Sequence, residues 1–183
     1  MGLCVSLPSP YTTHATYTGA GILFSNPSVA LAGVQKYWKV RKGSEAVLSG
    51  FGGRKEATDL DWFHTAWREV IEELFHVKTV PLIVLYDLRN RLPPADPAVT
   101  GGYVMLRYGF RDLVTALKII RHYIPTSPLY KVFPITVADL VTRRHPSKEG
   151  EIGALALLPT HRFKIAPEFQ EDLRPSSGAQ PVP

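Results

Sequence analysis

The chain has 183 residues, 45% of them hydrophobic and 20% charged, with a formal net charge of +5. This suits one globular domain with a sizeable core, and the charge favours anionic ligands without requiring nucleic acid. Its one cysteine, Cys4, excludes an intrachain disulfide and a cysteine metal cluster. No apolar run approaches the ~20 residues of a membrane span. No basic stretch precedes an apolar one as in a secretory signal, so a cytoplasmic protein is expected.

The first residues, "MGLCVS", fit the N-myristoylation pattern, with Gly2 as acceptor and Ser6 at the small hydroxyl position. Acylated there, and again at Cys4, the chain would be weakly anchored to a membrane. The plain alternative is an unmodified N-terminal extension over residues 1–16. One domain is expected over residues 17–166. It opens with "GAGILFS" (19–25) and "SVALAGVQKYWKV" (28–40), which read as a strand hairpin around "SNPS". Residues 41–59 read as a glycine-rich loop with a short extended piece at 46–48, and Asp59 or Asp61 can cap the helix that follows. "KTVPLIVLYDL" (78–88) is almost continuously apolar and predicts a central strand. Then come a loop (89–102), a strand (103–110), a helix (112–124) with Leu113, Leu117 and Ile120 on one side, a shorter helix (137–145) and a strand (151–159). Residues 167–183 are polar and proline-rich and read as a flexible tail. Strands interleaved with helices imply a layered α/β fold.

The chemistry concentrates in "GFGGRKEATDLDWFHTAWREVIEELF" (50–75). At about 100° of rotation per residue, Phe63, Ala66, Trp67, Val70, Ile71 and Leu74 gather into one apolar arc. Thr65, Arg68, Glu69, Glu72, Glu73 and His76 occupy the other side. Glutamates three and four residues apart repel one another, and Arg68 alone offers them relief. Carboxylates beside a glycine-rich loop, where backbone can approach closely, suit a hard cation such as Mg²⁺ or Mn²⁺. Such a cation polarises phosphoryl oxygens and acidifies bound water. A solvated helix face is the alternative.

"GGRKEATDLDWFHTAWREVIEELF" resembles the signature of the Nudix hydrolases: glycine, five residues, glutamate, seven residues, then R-E-hydrophobic-x-E-E-x-G-hydrophobic. Gly53, Arg68, Glu69, Val70, Glu72 and Glu73 match it, and the likeness extends over residues 17–88. Three positions depart from the pattern. Counted from Gly53 the first glutamate falls at Asp59, and counted back from Arg68 it falls at Leu60, so one inserted residue is expected, with Asp59 or Asp61 as the substitute acid. Phe75 stands where the helix-ending glycine belongs, and His76 replaces the last hydrophobic residue. The resemblance implies an α/β/α sandwich with a mixed β-sheet. It also implies Mg²⁺- or Mn²⁺-dependent hydrolysis of a diphosphate linkage, commonly in a nucleoside diphosphate joined to another group. Glu69, Glu72, Glu73 and the Gly53 carbonyl would hold metal, Arg68 would orient a glutamate, and one glutamate would take a proton from the attacking water. A further acid outside the signature is expected at Glu151, with Glu149 as its rival, unless both are ordinary loop residues.

For the substrate, Lys36, Lys39, Arg41, Lys42, Arg54 and Lys55 form a basic cluster broken only by Glu45. Lys39, Arg41, Lys42 and Arg54 could hold additional phosphates or an RNA backbone, with Tyr37 and Trp38 stacking a base. Equally, the aromatics could be core and the lysines solubilising. Three functions follow: a nucleotide or nucleotide-sugar pyrophosphohydrolase, a hydrolase of capped RNA, dinucleoside polyphosphates or inositol pyrophosphates, and a catalytically silent nucleotide-binding module.

Overall fold

The expected hairpin forms around an asparagine turn, in which Asn26 Oδ1 accepts from the amides of Ser28 and Val29, both at 2.8 Å. In a computed structural model of the chain, residues 16–35, 48–145 and 152–160 are described. Their elements run β1 (Gly19–Ser25), β2 (Val29–Gln35), β3 (Leu48–Ser49), β4 (Phe51–Arg54), α1 (Trp62–Phe75), α2 (Leu82–Arg91), β5 (Ala98–Thr100), β6 (Tyr103–Tyr108), α3 (Phe110–Tyr123), α4 (Val137–Thr142) and β7 (Ile152–Pro159). The chain thus folds as a mixed α/β protein: β1 runs parallel to β6, and the remaining pairings are antiparallel.

One feature of the sheet positions the site. β1 and β2 pair only beside their turn, at Phe24 with Leu31 and Ser25 with Ala30. Beyond that they diverge, and residues 48–54 fill the gap. β3 pairs with β2, and β4 pairs with β1 from Gly19 opposite Arg54 to Ile22 opposite Phe51. This lays the Gly52–Gly53 backbone across the middle of the sheet, under α1.

Alternation sorts the strands' side chains. Ala20, Ile22 and Phe24 of β1, Phe51 of β4 and Val104 and Leu106 of β6 join one large core with buried residues from all four helices. Leu23, Ala30, Ala32, Met105 and Leu158 form a smaller cluster on the other face. The expected sandwich has helices on both faces, but every described helix packs on the first. Among the described residues no helix is long and apolar enough to cross a membrane.

Several expectations are corrected. "VPLIVLYDL" is not a central strand but the start of α2. Val84, Leu85 and Leu88 are buried at helical spacing, whereas Leu82, Ile83 and Tyr86 are exposed. An unbroken apolar run carries no period, so alternation could not separate the two structures. Pro81 decides it: without an N–H it cannot serve a central ladder, but at a helix start that donor is not needed. The place beside β1 goes to β6. The glycine-rich loop also contains β4, and the loop at 89–102 contains the end of α2 and β5. The strand at 28–40 is described only to Gln35. The strand at 103–110 and the helices at 112–124 and 137–145 form with ends shifted by at most three residues, and the strand at 151–159 is β7.

If α2 is a helix with one buried face, Leu88→Ala should cost about 2–5 kcal/mol, and Ile83→Ala should stay within about 0.5 kcal/mol. Chemical denaturation measures both, and similar losses at the two positions would restore the buried strand.

Candidate functional site

α1 begins at Asp61, whose Oδ1 accepts from the His64 amide at 3.0 Å. Arg89 of α2 donates to both Asp61 oxygens at 2.6 Å, which ties the two helices together. The predicted apolar arc is realised: Phe63, Ala66, Trp67, Val70, Ile71 and Leu74 are all buried. The polar side is not a solvated face, because Thr65 and Arg68 are buried as well.

Asp59, not Asp61, is the acid that meets Arg68. The Arg68 Nε donates to Asp59 Oδ1 at 2.9 Å and its Nη2 to Oδ2 at 3.0 Å, a two-pronged pair. Asp59 is held in turn by the Glu56 amide and the Thr65 hydroxyl, each at 2.8 Å. Arg68 Nη2 also donates to the Arg54 carbonyl at 2.9 Å, binding the helix to the end of β4. Burial works to raise the Asp59 pKa, but these hydrogen bonds outweigh it and hold the carboxyl below its ordinary value.

The remaining nitrogen of the same guanidinium faces outward. Arg68 Nη1 lies 3.1 Å from Glu69 Oε1, 3.1 Å from Glu72 Oε2 and 3.5 Å from Glu56 Oε1. A single positive charge therefore serves four carboxylates. Burial, only partly offset by Arg68, pushes Glu69 up, and it does the same to Glu72, helped by the charge of Glu69. Arg68 itself is held above its usual range: burial opposes this, but Asp59, Glu69 and Glu72 prevail. Glu73 turns the other way and accepts from the Gly52 amide at 3.1 Å.

Gly53 matters through what it lacks. A Cβ there would overlap the Glu69 carboxylate, so any larger residue would displace that carboxylate from its present position. Its carbonyl, expected among the metal ligands, lies against Gly19 of β1.

The end of α1 is closed without the expected glycine. Phe75 stays helical and stacks on Phe133 with ring centroids 4.8 Å apart. The left-handed turn moves one residue on, to His76 with φ 54° and ψ 49°. The last four carbonyls of a helix lack partners within it, and each finds one here. Glu72 O accepts from the His76 amide at 2.8 Å, and Phe75 O accepts from Ser127 Oγ at 2.7 Å. Arg144 donates to both Glu73 O and Leu74 O at 2.9 Å, and to Ile152 O at 3.2 Å. A cation at this end also complements the helix dipole.

Glu69, Glu72, Glu73, Gly53 and Arg54 thus line one open cleft of about 560 Å³, together with His76 and Arg144. Lys55 stands aside, its Nζ 4.5 Å from the centre of the Tyr17 ring. Lys36, Tyr37, Trp38, Lys39, Arg41, Lys42, Glu149, Glu151, Gly2 and Cys4 lie outside the described residues. Arg144 and Ser127 were not foreseen. Their partners on α1 are about 70 and 52 residues away, and no local pattern announces such contacts.

Among the described residues no three carboxylate, histidine or cysteine side chains converge on one point as a closed cation site. Glu69 and Glu72 lean on Arg68, and Glu73 leans on the Gly52 amide. The donors nevertheless suit a hard divalent cation, being oxygens with more negative charge than Arg68 balances. Comparison with models of known protein families and with curated proteins gives no match.

Asp59→Asn should destabilise the fold by about 3 kcal/mol at neutral pH, because it leaves a buried guanidinium without its best partner. The folded carboxyl titrates below its unfolded value of about 3.9, so the stability it contributes is complete above that value and is lost as pH falls through the folded one. Unfolding curves for the two proteins should therefore draw together as pH falls below about 4 and meet once it is below the folded value. A gap that persists there would assign the loss to packing.

Proposed function

We propose that the chain is a divalent-cation-dependent hydrolase of the Nudix type, cleaving a diphosphate linkage in a nucleoside diphosphate-linked substrate. The observation that carries it is the excess of carboxylate around Arg68: Glu69 and Glu72 share one nitrogen at 3.1 Å each, beside a glycine strand that leaves them room. A structural ion pair needs one acid, and Asp59 already supplies it.

Glu69, Glu72 and Glu73 would hold Mg²⁺ or Mn²⁺, which supplies charge neutralisation for phosphoryl oxygens and a more acidic water. The chain's own residues do the rest. Arg68 fixes the carboxylates of Glu69 and Glu72, and burial keeps both more basic than ordinary surface acids. One of their oxygens accepts the proton as the water oxygen bonds to phosphorus and the bridging P–O bond breaks. The departing phosphate leaves as an anion past Arg54, which lines the cleft. Because Arg68 is held by Asp59 and the Arg54 carbonyl, the carboxylates are positioned before substrate arrives.

The test is hydrolysis, with and without Mg²⁺ or Mn²⁺, across NDP-sugars, dinucleoside polyphosphates, NTPs, capped RNA and inositol pyrophosphates. At least one class should turn over only with metal, and Glu72→Gln should lower kcat at least about 100-fold without loss of thermal stability. Turnover independent of metal, or a Glu72→Gln variant with near-normal turnover, would sink the assignment. Saturating Mg²⁺ should also raise the Tm, since ligand at about 100 times its Kd stabilises by about 2.7 kcal/mol.

A further inference from the structure

Beside the carboxylate cleft lies a second hollow of about 300 Å³, and Arg144 lines both. Lys131, Arg143 and His145 also line the second one, and among the described residues no carboxylate does. Its two sides are joined by a backbone hydrogen bond, His145 N to Leu129 O at 2.8 Å, and Leu129 itself lines the first cleft.

Arg144 is fixed by three neutral carbonyls, those of Glu73, Leu74 and Ile152, so its positive charge is oriented but not cancelled. Among the described residues no carboxylate pairs with it. Lys131 likewise meets no described carboxylate. Arg143 shares Asp139 at 3.0 Å and remains half-exposed. The result is a sharp change of sign over a short distance, acidic at Glu69, Glu72 and Glu73 and basic on the far side of Arg144. The acidic cleft alone repels phosphate unless a cation is present. The basic hollow attracts it in either case.

We propose that the basic hollow is an anion subsite, joined to the carboxylate cleft through Arg144, that takes a phosphate of the substrate beyond the two being separated. This rests on the hydrolase reading and narrows it to an oligophosphate class: substrates with three or more phosphoryl groups in a chain, or a diphosphate that carries another phosphate nearby. A nucleoside diphosphate joined to an uncharged sugar would leave the hollow unused.

The experiment measures binding without chemistry. Full-length protein in EDTA is titrated calorimetrically with inorganic tripolyphosphate and, separately, with orthophosphate. Tripolyphosphate should bind more tightly, and the preference should fade as salt rises. Lys131→Ala/Arg143→Ala should weaken tripolyphosphate binding about 10-fold, as expected for two exposed charge contacts. A charge-matched control on α3, Arg111→Ala/Lys118→Ala, should bind as the wild type does; both of its side chains are exposed. Equal losses in the two variants would mean net charge alone, and no loss in either, or no preference for tripolyphosphate, would equally overturn the subsite. Because metal and turnover are absent, the result is independent of the hydrolase reading. A protein that binds tripolyphosphate through Lys131 and Arg143 but hydrolyses no diphosphate would refute that reading and leave the subsite standing.

Discussion

Burying the Arg68 guanidinium is tolerable only because Asp59 meets two of its nitrogens at 2.9 and 3.0 Å, and much of the site's geometry follows from that pairing. The pair fixes the turn before α1, through the Glu56 amide and Thr65, and the end of β4, through the Arg54 carbonyl. It also leaves one nitrogen unspent, and that nitrogen faces Glu69 and Glu72. The aspartate does structural duty so that the glutamates need not. Asp59 lies nine residues before Arg68, and the turn from Glu56 to Asp59 brings the two together in one contact.

The far end of α1 is governed by a different constraint. A glycine at position 75 would supply the left-handed turn at no steric cost. The chain instead uses Phe75 to build core against Phe133 and Tyr130 and bends at His76. A non-glycine residue in that conformation costs on the order of 1 kcal/mol, and external donors from Ser127 and Arg144 accompany it. Those donors come from the segments on either side of α4, so the orientation of Glu72 and Glu73 depends on how the last third of the domain packs. The same Arg144 contacts set the boundary between the acidic and basic hollows.

What the sequence made legible was the helix. Six apolar residues on one arc specified which face of α1 is buried, and the spacing of Glu69, Glu72 and Glu73 with Arg68 specified one polar neighbourhood. The same periodicity failed for 78–88, where an almost unbroken apolar run suits either a strand or a helix, and only Pro81 distinguished them. It also failed for 51–54, because glycine carries no strand signal, although Gly53 belongs to β4 for a steric reason that appears only when Glu69 is in place. Arg68 was read as orienting a glutamate, and its bond to Asp59 was not foreseen, because buried pairing follows from the three-dimensional approach of a turn to a helix. Arg144 and Ser127 were invisible for the same reason: their significance lies in two carbonyls and a third that no side-chain pattern encodes.

The central claim is that the unbalanced carboxylates of α1 form a cation site. Titration of the full chain with Mn²⁺, followed by the loss of the free-ion electron paramagnetic resonance signal, tests it directly and needs no knowledge of the substrate. The account predicts saturable binding that Mg²⁺ competes away and that Glu72→Gln/Glu73→Gln removes, with the variant still folded. A wild-type protein that leaves Mn²⁺ free at millimolar concentration, or a double variant that binds as the wild type does, would contradict it.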